Sequence, residues 1–306
     1  MSAATTANPD RFQRYYEEAG PDYAAWSPNF NMHFGFFRWG MNPFNREAML
    51  EQMNLEIQNR LHLTAAPHSH VAGLTSDGST SVSPARVLDM GCGLGATLRS
   101  LAGRLPTAHL QGITLVPWQL EQGRNLNQSC PQGERIRLAL GDYEHTTFPS
   151  ASFDAVYALE SSCYAHGANK SAFLQEIHRL LRPGGRIVVA DGFLGPGKLR
   201  GPQQSIYRKL CDCWVIDNLG EVALVTLEME RIGFRDIVVE PMQARVTTSV
   251  FHVPWVTLKF LLIDVLFGGR KMTRARWNNI LAPILLPFVG FPIGPMAYYI
   301  LGATRA

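Results

Sequence analysis

A glycine-rich loop preceded by a carboxylate has the clearest chemical meaning in this sequence. The loop, Asp89-Met90-Gly91-Cys92-Gly93-Leu94-Gly95, follows a short apolar run and precedes a segment with helical spacing. Glycines at such a strand-to-helix turn let backbone amides approach a ligand closely. The spacing is GxGxG rather than the GxGxxG of dinucleotide-binding loops, and the carboxylate of Asp89 would repel a pyrophosphate. The loop therefore indicates a ligand that carries positive charge and no phosphate.

The elements that must position this loop follow an alternating pattern. Strand-like runs alternate with helical segments, and Arg182-Pro183-Gly184-Gly185 ends a helix predicted over Lys170–Leu181. This alternation predicts an α/β fold, a doubly wound seven-stranded Rossmann-like sheet that binds its ligand at the carboxyl ends of the strands. The seven predicted strands are 85–90, 109–115, 135–140, 153–159, 186–191, 236–241 and 297–304.

Four stretches in order resemble the motifs of class I S-adenosylmethionine-dependent methyltransferases. VLDMGCGLGAT is similar to their first motif, LQGITLVPWQ lies where the ribose is held, GDYEHTTFPSASFDAVYALES resembles the adenine-side motif, and LRPGGRIVVAD the motif before the fifth strand. The resemblance implies a methyltransferase fold, S-adenosylmethionine as cofactor and transferase activity. It also implies these cofactor-binding residues: Asp89, Gly91, Gly93, Thr114, Leu115, Gln119, Asp142, Tyr143 and Glu160.

The ribose motif narrows the resemblance to one subgroup. Most members of the superfamily carry an acidic residue at the end of the second strand, where this chain has Thr114. GITLxPxQ is instead similar to sterol C-methyltransferases, tocopherol methyltransferases and cyclopropane fatty acid synthases. In that subgroup the ribose contacts fall on positions that correspond to Thr114, Leu115 and Gln119. The serine usual before the proline is Val116 here, so one polar contact is expected to be missing.

An aromatic N-terminal segment is the main candidate for the substrate side. Between Phe12 and Phe44 lie 11 of the chain's 31 aromatic residues. The run from Phe30 to Phe37 has no helical period and resembles the HMHxGYY-type loop of the same subgroup, which closes over cofactor and acceptor. Two expected tyrosines are phenylalanines here, which predicts a drier pocket. The predicted substrate residues are Tyr23, Trp26, Phe34, Phe36 and Phe37, although a helix pair packed on the sheet would use some of these rings too.

Glu160 and His33 are the candidate catalytic residues. Glu160 lies just past the fourth predicted strand in a stretch that resembles the EATCHAP-like segment of sterol C-methyltransferases. A carboxylate there would steady a cation or accept a proton, or simply contact the cofactor. His33 lies in the aromatic loop and is either a proton carrier or a hydrogen-bonded structural residue. Tyr164 stands where that family has a histidine. No cysteine or histidine residues have the spacing of metal ligands, so we predict no metal site.

The segments that do not fit the alternation predict the domain organisation. Residues 1–63 form an N-terminal helical lid, 64–85 a linker or surface loop, and 86–306 the methyltransferase domain, with cap insertions at 195–220 and 242–296. The insertions are apolar and poor in charge, as in the run 254–261, which predicts a bulky apolar acceptor. They lack a basic cluster for phosphate recognition, although Arg208-Lys209 and Arg270-Lys271 leave a diphosphate open.

The composition limits the classes of partner that the protein is expected to bind. The net charge of +3 does not suit a nucleic-acid binder, and the odd count of five cysteines, with no apolar signal segment near Met1, predicts a cytoplasmic protein. No charged residue lies between Arg276 and Arg305. Four prolines in that stretch favour a buried helix, a turn and a final strand over a membrane span. Peripheral membrane contact and a homodimer stay open.

The sequence therefore predicts an enzyme of lipid, terpenoid or natural product metabolism that transfers a methyl group from S-adenosylmethionine to a hydrophobic small molecule. Aromatic walls suit a carbocation, which favours carbon methylation of a sterol or isoprenoid alkene. N- or O-methylation of an apolar amine or phenol is the alternative. A catalytically silent binding protein is disfavoured because it would have no physical need for the intact DMGCG loop.

Overall fold

The computed structural model describes residues 9–63, 71–72, 81–82, 84–290 and 294–306. Within the predicted linker 64–85, only a two-residue antiparallel strand pair, β1 (Val71–Ala72) and β2 (Ser81–Val82), and residues 84–85 are described. The rest of that prediction lies outside the described residues.

A seven-stranded sheet forms the centre of the molecule. Its strands are β3 (Arg86–Met90), β4 (His109–Thr114), β5 (Ile136–Leu140), β6 (Phe153–Leu159), β7 (Leu181–Leu194), β8 (Phe234–Pro241) and β9 (Met296–Arg305). The order across the sheet is β5-β4-β3-β6-β7-β9-β8. Strands β3 to β7 pair in parallel, and β9 runs antiparallel between β7 and β8. The predicted fold class is confirmed.

Helices cover both faces of the sheet and extend beyond its carboxyl edge. They are α1 (Pro9–Ala19), α2 (Tyr23–Trp26), α3 (Arg46–Arg60), α4 (Ala96–Arg104), α5 (Pro117–Gln128), α6 (Ser171–Leu180), α7 (Pro202–Trp214), α8 (Val222–Ile232), α9 (Gln243–Val250), α10 (Val253–Phe260), a π-helical stretch (Leu261–Phe267) and α11 (Arg274–Val289). Two large core clusters lie on the two faces of the sheet, and the central strands β3 and β6 contribute to both, while a third, smaller cluster packs α1 against Val116. A strand covered on both faces is expected to be apolar throughout.

The residues predicted to end the helix before Arg182 belong to the following strand instead. Helix α6 ends at Leu180, but Pro183 and the glycines that follow lie inside β7, which begins at Leu181. Leu181 pairs with Phe153, and the register with β6 shifts before Arg186 pairs with Ala155. The proline and glycines thus occupy an irregularity of the ladder, where a missing amide donor costs little.

The aromatic N-terminal segment is tied to the sheet edge and to the cap. The backbone amide of Phe34 donates to Glu160 Oε1 at 2.8 Å, and that of Gly35 donates to Ser249 Oγ at 2.8 Å. A Cβ on Gly35 would lie 2.6 Å from Met49 Cβ, so only glycine allows this close approach to α3. The loop is therefore fixed at one place over the carboxyl edge of the sheet.

The C-terminal apolar stretch corrects one expectation. Helix α11 contains Pro283 and Pro287 and is followed by strand β9, but it is not a buried helix, since Trp277, Ile284 and Phe288 are exposed. The nearly continuous helical run Gln243–Phe267 is long and apolar enough to cross a membrane, and only 17% of its most apolar window is buried.

Candidate functional site

Two adjoining cavities lie at the carboxyl edge of the sheet, under the aromatic loop. The first, the glycine-loop cavity, is lined by residues that follow β3, β4, β5 and β6. The second, the cap cavity, lies between the N-terminal helices, β9 and the cap helices α9 to α11. Both cavities share five lining residues, which therefore mark the junction between them: Tyr16, Met32, His33, Glu160 and Tyr164.

Each predicted cofactor residue lines the glycine-loop cavity. Gly91 has a φ of +94°, and a Cβ there would lie 2.4 Å from Ser161 Cβ. Gly93 has a φ of +51° and faces Met32 Sδ. Glycine is therefore required at Gly91 both by conformation and by space. The tight turn places Asp89 at the floor of the cavity.

Asp89 is a buried carboxyl that lacks an ion pair among the described residues. Burial raises its pKa to about 7. Burial of a carboxyl without a cation beside it costs free energy. Asp89 therefore suits a ligand that brings its own positive charge into the cavity. The site therefore fits S-adenosylmethionine, which carries a sulfonium and an ammonium group.

Hydrogen bonds within the ribose motif fix the orientation of its side chains. Thr114 Oγ1 donates to Gln119 Oε1 at 2.6 Å and accepts from the backbone amide of Val116 at 3.2 Å. Because the oxygen of the Gln119 amide is occupied, its nitrogen is the group that can donate to a ribose hydroxyl. The backbone of Leu115 lines the same wall.

The two predicted adenine-side residues differ in what they offer. Asp142 is exposed, and its Oδ1 accepts from the backbone amide of Glu144 at 2.8 Å. The hydroxyl of Tyr143 donates to the carbonyl oxygen of Ser161 at 2.8 Å, so its ring rather than its hydroxyl faces the cavity. Asp142 can accept from an amino group, and Tyr143 provides an aromatic surface.

Glu160 stands at the junction with one carboxylate oxygen fixed. Oε1 accepts from the Phe34 amide at 2.8 Å and from the Tyr298 hydroxyl at 3.0 Å. Its backbone has a φ of +50°, the left-handed region that a non-glycine residue adopts at a cost. Burial raises the pKa of this carboxyl to about 8, and the nearby Asp191 adds to the shift. A positioned carboxyl with a pKa near neutrality can act as a proton acceptor.

His33 also lies at the junction, where each ring nitrogen faces an oxygen atom and the neutral ring can donate to one of the two. Nδ1 lies 2.9 Å from the carbonyl oxygen of Phe34, and Nε2 lies 3.2 Å from Asn31 Oδ1. Burial lowers the pKa of the imidazole to about 4, so the ring is neutral at physiological pH. These contacts favour a residue that shapes the aromatic loop over one that carries a proton.

We expect His33→Gln to lower the free energy of unfolding by about 1–2 kcal/mol, because it disturbs a buried hydrogen bond and its packing, while kcat stays within about threefold of wild type. Urea unfolding and steady-state kinetics measure the two effects separately. A folded variant that keeps cofactor affinity and loses kcat about a hundredfold or more would make His33 catalytic.

The predicted substrate residues divide into two groups. Tyr23, Trp26 and Phe34 line the cap cavity. Phe36 and Phe37 line neither cavity. Phe36 packs in the core beneath the guanidinium of Arg245, and the Phe37 ring lies against Trp39. Phe36 lies away from the junction because Gly35 packs closely against Met49 of α3 and the Phe36 amide donates to the Met49 carbonyl oxygen. The expectation that their missing hydroxyls dry the pocket is therefore not what the structure shows.

We expect Phe36→Tyr to destabilise the fold by about 1–3 kcal/mol, because it places a hydroxyl in the core without a partner. Acceptor preference should not change. Phe37→Tyr is the matched control, since that ring is only half-buried and its hydroxyl can reach water. If Phe36→Tyr instead altered the acceptor profile at unchanged stability, its ring would have to face the cavity.

Several residues that line the two cavities were not among the predicted site residues. Tyr16 and Tyr164 share a hydrogen bond of 2.8 Å between their hydroxyls at the junction. Gln243 and Asn279 line the cap cavity and come from helices α9 and α11. The aromatic count pointed at Tyr16, but nothing in the local sequence marks Gln243 or Asn279, because only tertiary packing brings these helices to the sheet edge.

Comparison with known proteins agrees with the geometry. Residues 87–185 match the model of a methyltransferase domain. A probable chloroplastic tocopherol O-methyltransferase of Oryza sativa subsp. japonica is 25% identical over 95% of this chain and 76% of its own length. A sterol 24-C-methyltransferase of Eremothecium gossypii is 29% identical over 53% of this chain. The chain spans 40% of that second relative's length.

Solved structures share the fold over 97% to 100% of the chain. The [4+2]-cyclase SpnF superposes with a TM-score of 0.69 at 17% identity and covers 97% of this chain and 96% of its own. A geranyl diphosphate C-methyltransferase from Streptomyces coelicolor A3(2), in complex with S-adenosyl-L-homocysteine, gives 0.66 at 14% identity with full coverage of both chains. With its matched domain and its relatives, the chain is an S-adenosylmethionine-dependent methyltransferase that resembles sterol and tocopherol methyltransferases.

Proposed function

We propose that this protein transfers a methyl group from S-adenosylmethionine to a carbon atom of a sterol or isoprenoid alkene. The observation that carries the proposal is the placement of Glu160, which lies between the cofactor side and a cap cavity walled mainly by apolar and aromatic side chains. A sterol 24-C-methyltransferase among its relatives supports the same substrate class and carbon as the methylated atom.

The residues at the junction supply alignment, a dry environment and a proton acceptor. When bound, S-adenosylmethionine supplies an electrophilic methyl group on a sulfonium. The rings of Trp26, Phe34 and Tyr164 offer aromatic faces that attract a cation formed on the acceptor. The alkene's π electrons would form the new bond to the methyl carbon as the sulfur–methyl bond breaks and S-adenosylhomocysteine leaves. The proton that the resulting carbocation loses would pass to the Glu160 carboxylate. Exclusion of water protects the cation until that transfer.

The charges in the cap cavity argue against a diphosphate acceptor. Among the described residues that line it, Arg276 is the cation. Its Nε lies 3.2 Å from Asp22 Oδ2, and its guanidinium also donates to the carbonyl oxygens of Glu18 and Lys271. The Asp22 carboxylate also lines the cavity, where it offsets the charge of this guanidinium and would repel a phosphate. The acceptor is therefore expected to be uncharged.

One observation supports a second candidate, N- or O-methylation of an apolar amine or phenol. The Gln243 amide is oriented by the backbone amide of Tyr298, which donates to its oxygen at 2.7 Å. Its nitrogen is buried at the cavity wall without a partner among the described residues. An unpartnered donor of this kind favours an acceptor that carries an oxygen atom. A hydroxylated isoprenoid and a phenol both satisfy it.

A transfer assay with labelled S-adenosylmethionine separates the candidates. One reaction contains a pool of sterols and terpenoids, and the other a pool of apolar amines and phenols. Label in the first pool supports the proposal, and label only in the second supports the alternative. Gln243→Leu is the companion variant, and it should raise KM about tenfold for an oxygenated acceptor, since one buried hydrogen bond is lost. Label in neither pool would overturn both candidates.

A further inference from the structure

The helical run Gln243–Phe267 carries a stripe of exposed apolar side chains. Phe251, Trp255, Leu258, Leu262 and Leu266, here named the outer stripe, follow one another at intervals of four, three, four and four residues. Such spacing repeats along one side of a helix. Their exposed fractions lie between 43% and 74%. Monomeric soluble proteins rarely leave so contiguous an apolar strip in water.

The opposite side of the same run is apolar as well. Val253, Val256 and Phe260 line the cap cavity, at intervals that place them across the helix from the outer stripe. A surface helix of a soluble protein is expected to have one polar face. This run has none, so its outward face needs an explanation that core packing does not provide.

The neighbouring helix shows the same feature. Trp277, Ile284 and Phe288 on α11 lie at intervals of seven and four residues and are exposed by 43% to 59%. Helices α10 and α11 pack against each other. Two adjacent helices of the cap thus each carry an uncovered apolar stripe.

Basic side chains accompany the stripes. Lys259, Lys271 and Arg274 are exposed and form no ion pair with the described residues. Asp264, the acidic residue of the run, lies 3.9 Å from Arg270. The local surface is therefore apolar with a positive margin, which is the pattern of segments that lie in the interface of an anionic bilayer.

We propose that the outer stripe and the α11 stripe dock this protein on the surface of an anionic lipid membrane. Tryptophan and leucine side chains enter the interfacial layer, and Lys259, Lys271 and Arg274 contact the head groups. A second copy of the chain fits less well, because a two-fold axis through the stripe would bring Lys259 of both copies together. The cap cavity then lies one helix thickness from the bilayer, a placement that matters for an apolar acceptor and in this respect rests on the proposed function.

Vesicle flotation tests the docking without any acceptor or turnover. The full chain is mixed with phosphatidylcholine vesicles that contain or lack phosphatidylserine. Wild type should float with the anionic vesicles, and Trp255→Ser combined with Leu262→Ser should lower the bound fraction about tenfold or more. Leu227→Ser is the matched control, since that leucine is 62% exposed on α8, away from the stripes. Lys259→Gln combined with Lys271→Gln should lose the preference for phosphatidylserine.

The outcomes that overturn the proposal are distinct from failure of the proposed function. Wild type that floats with neither vesicle, or equal loss in the Leu227→Ser control, would reject membrane docking. A concentration-dependent dimer in analytical ultracentrifugation that the stripe variant dissolves would assign the surface to a second copy. Cofactor affinity and turnover on detergent-dispersed acceptor should stay unchanged in the stripe variant, because none of its substituted residues lines a cavity.

Discussion

Asp89→Asn is expected to weaken binding of S-adenosylmethionine about a hundredfold or more, because a buried charge pair loses one partner. The variant keeps the shape of the side chain and removes only its charge. Isothermal titration calorimetry of the free protein with the cofactor measures the effect. Unchanged affinity would remove Asp89 from the cofactor site and with it the charge argument drawn from the glycine loop.

The pH dependence of S-adenosylmethionine binding to the wild type also tests the role of the Asp89 charge. Because burial raises the pKa of Asp89 to about 7 in the free protein, the carboxyl is mostly protonated at lower pH and must release a proton before it can pair with a cation. Affinity should therefore fall about tenfold per pH unit below 7. In Asp89→Asn this slope should disappear.

The stability of the same variant provides the control. A carboxyl whose folded pKa lies above its unfolded value binds its proton more tightly in the folded state. Asp89 therefore lowers the stability of the free protein progressively as pH rises from about 3.8 to about 7. Asp89→Asn removes this dependence and should be at least as stable as wild type at pH 8. Loss of binding in that variant cannot then be attributed to unfolding.

Glu160→Gln is expected to lower kcat by about 10²- to 10⁴-fold, the range lost when a positioned proton acceptor is removed. The affinity for S-adenosylmethionine should change less than about threefold, because the uncharged amide keeps the shape of the cavity wall and can still accept from Phe34 and Tyr298. Single-turnover kinetics and calorimetry measure the two quantities. Equal losses of both would make Glu160 a binding residue.

The wild-type profile of kcat against pH should rise as Glu160 ionises. In the free protein its pKa is about 8, and a bound cation lowers it, so the midpoint should fall below 8. Tyr298→Phe is the matched control. It removes the hydroxyl that donates to Oε1 and should move the midpoint upward while leaving the plateau within about tenfold of wild type. Glu160→Gln should show no midpoint in this range.

The glycine loop and the sheet could be predicted because their signals are local. The turn at Gly91 needs a residue without a Cβ, and the strand before it is a short apolar run, so spacing alone places Asp89 at the carboxyl edge. Glu160 was found for the same reason, since it follows a central strand.

The acceptor side could be predicted only in part because it depends on tertiary packing. Phe34 and Phe36 are two residues apart, yet Phe34 faces the cap cavity and Phe36 enters the core, because contacts with α3 fix the backbone at Gly35 and Phe36. The side-chain nitrogen of Gln243 faces the cavity as a donor only because the Tyr298 amide of β9 bonds to the side-chain oxygen. The exposure of α11 depends on which of its faces α7 covers, and composition does not contain that information.

The atom that receives the methyl group tests the central claim most directly. The reaction is run with S-adenosylmethionine labelled with ¹³C in its methyl group, and the product is examined by NMR with the wild type and with Glu160→Gln. We predict label in a methyl group bonded to carbon, formed by the wild type and nearly absent with the variant. Label on oxygen or nitrogen, or equal yields from both proteins, would contradict the account of an apolar junction in which Glu160 accepts the proton.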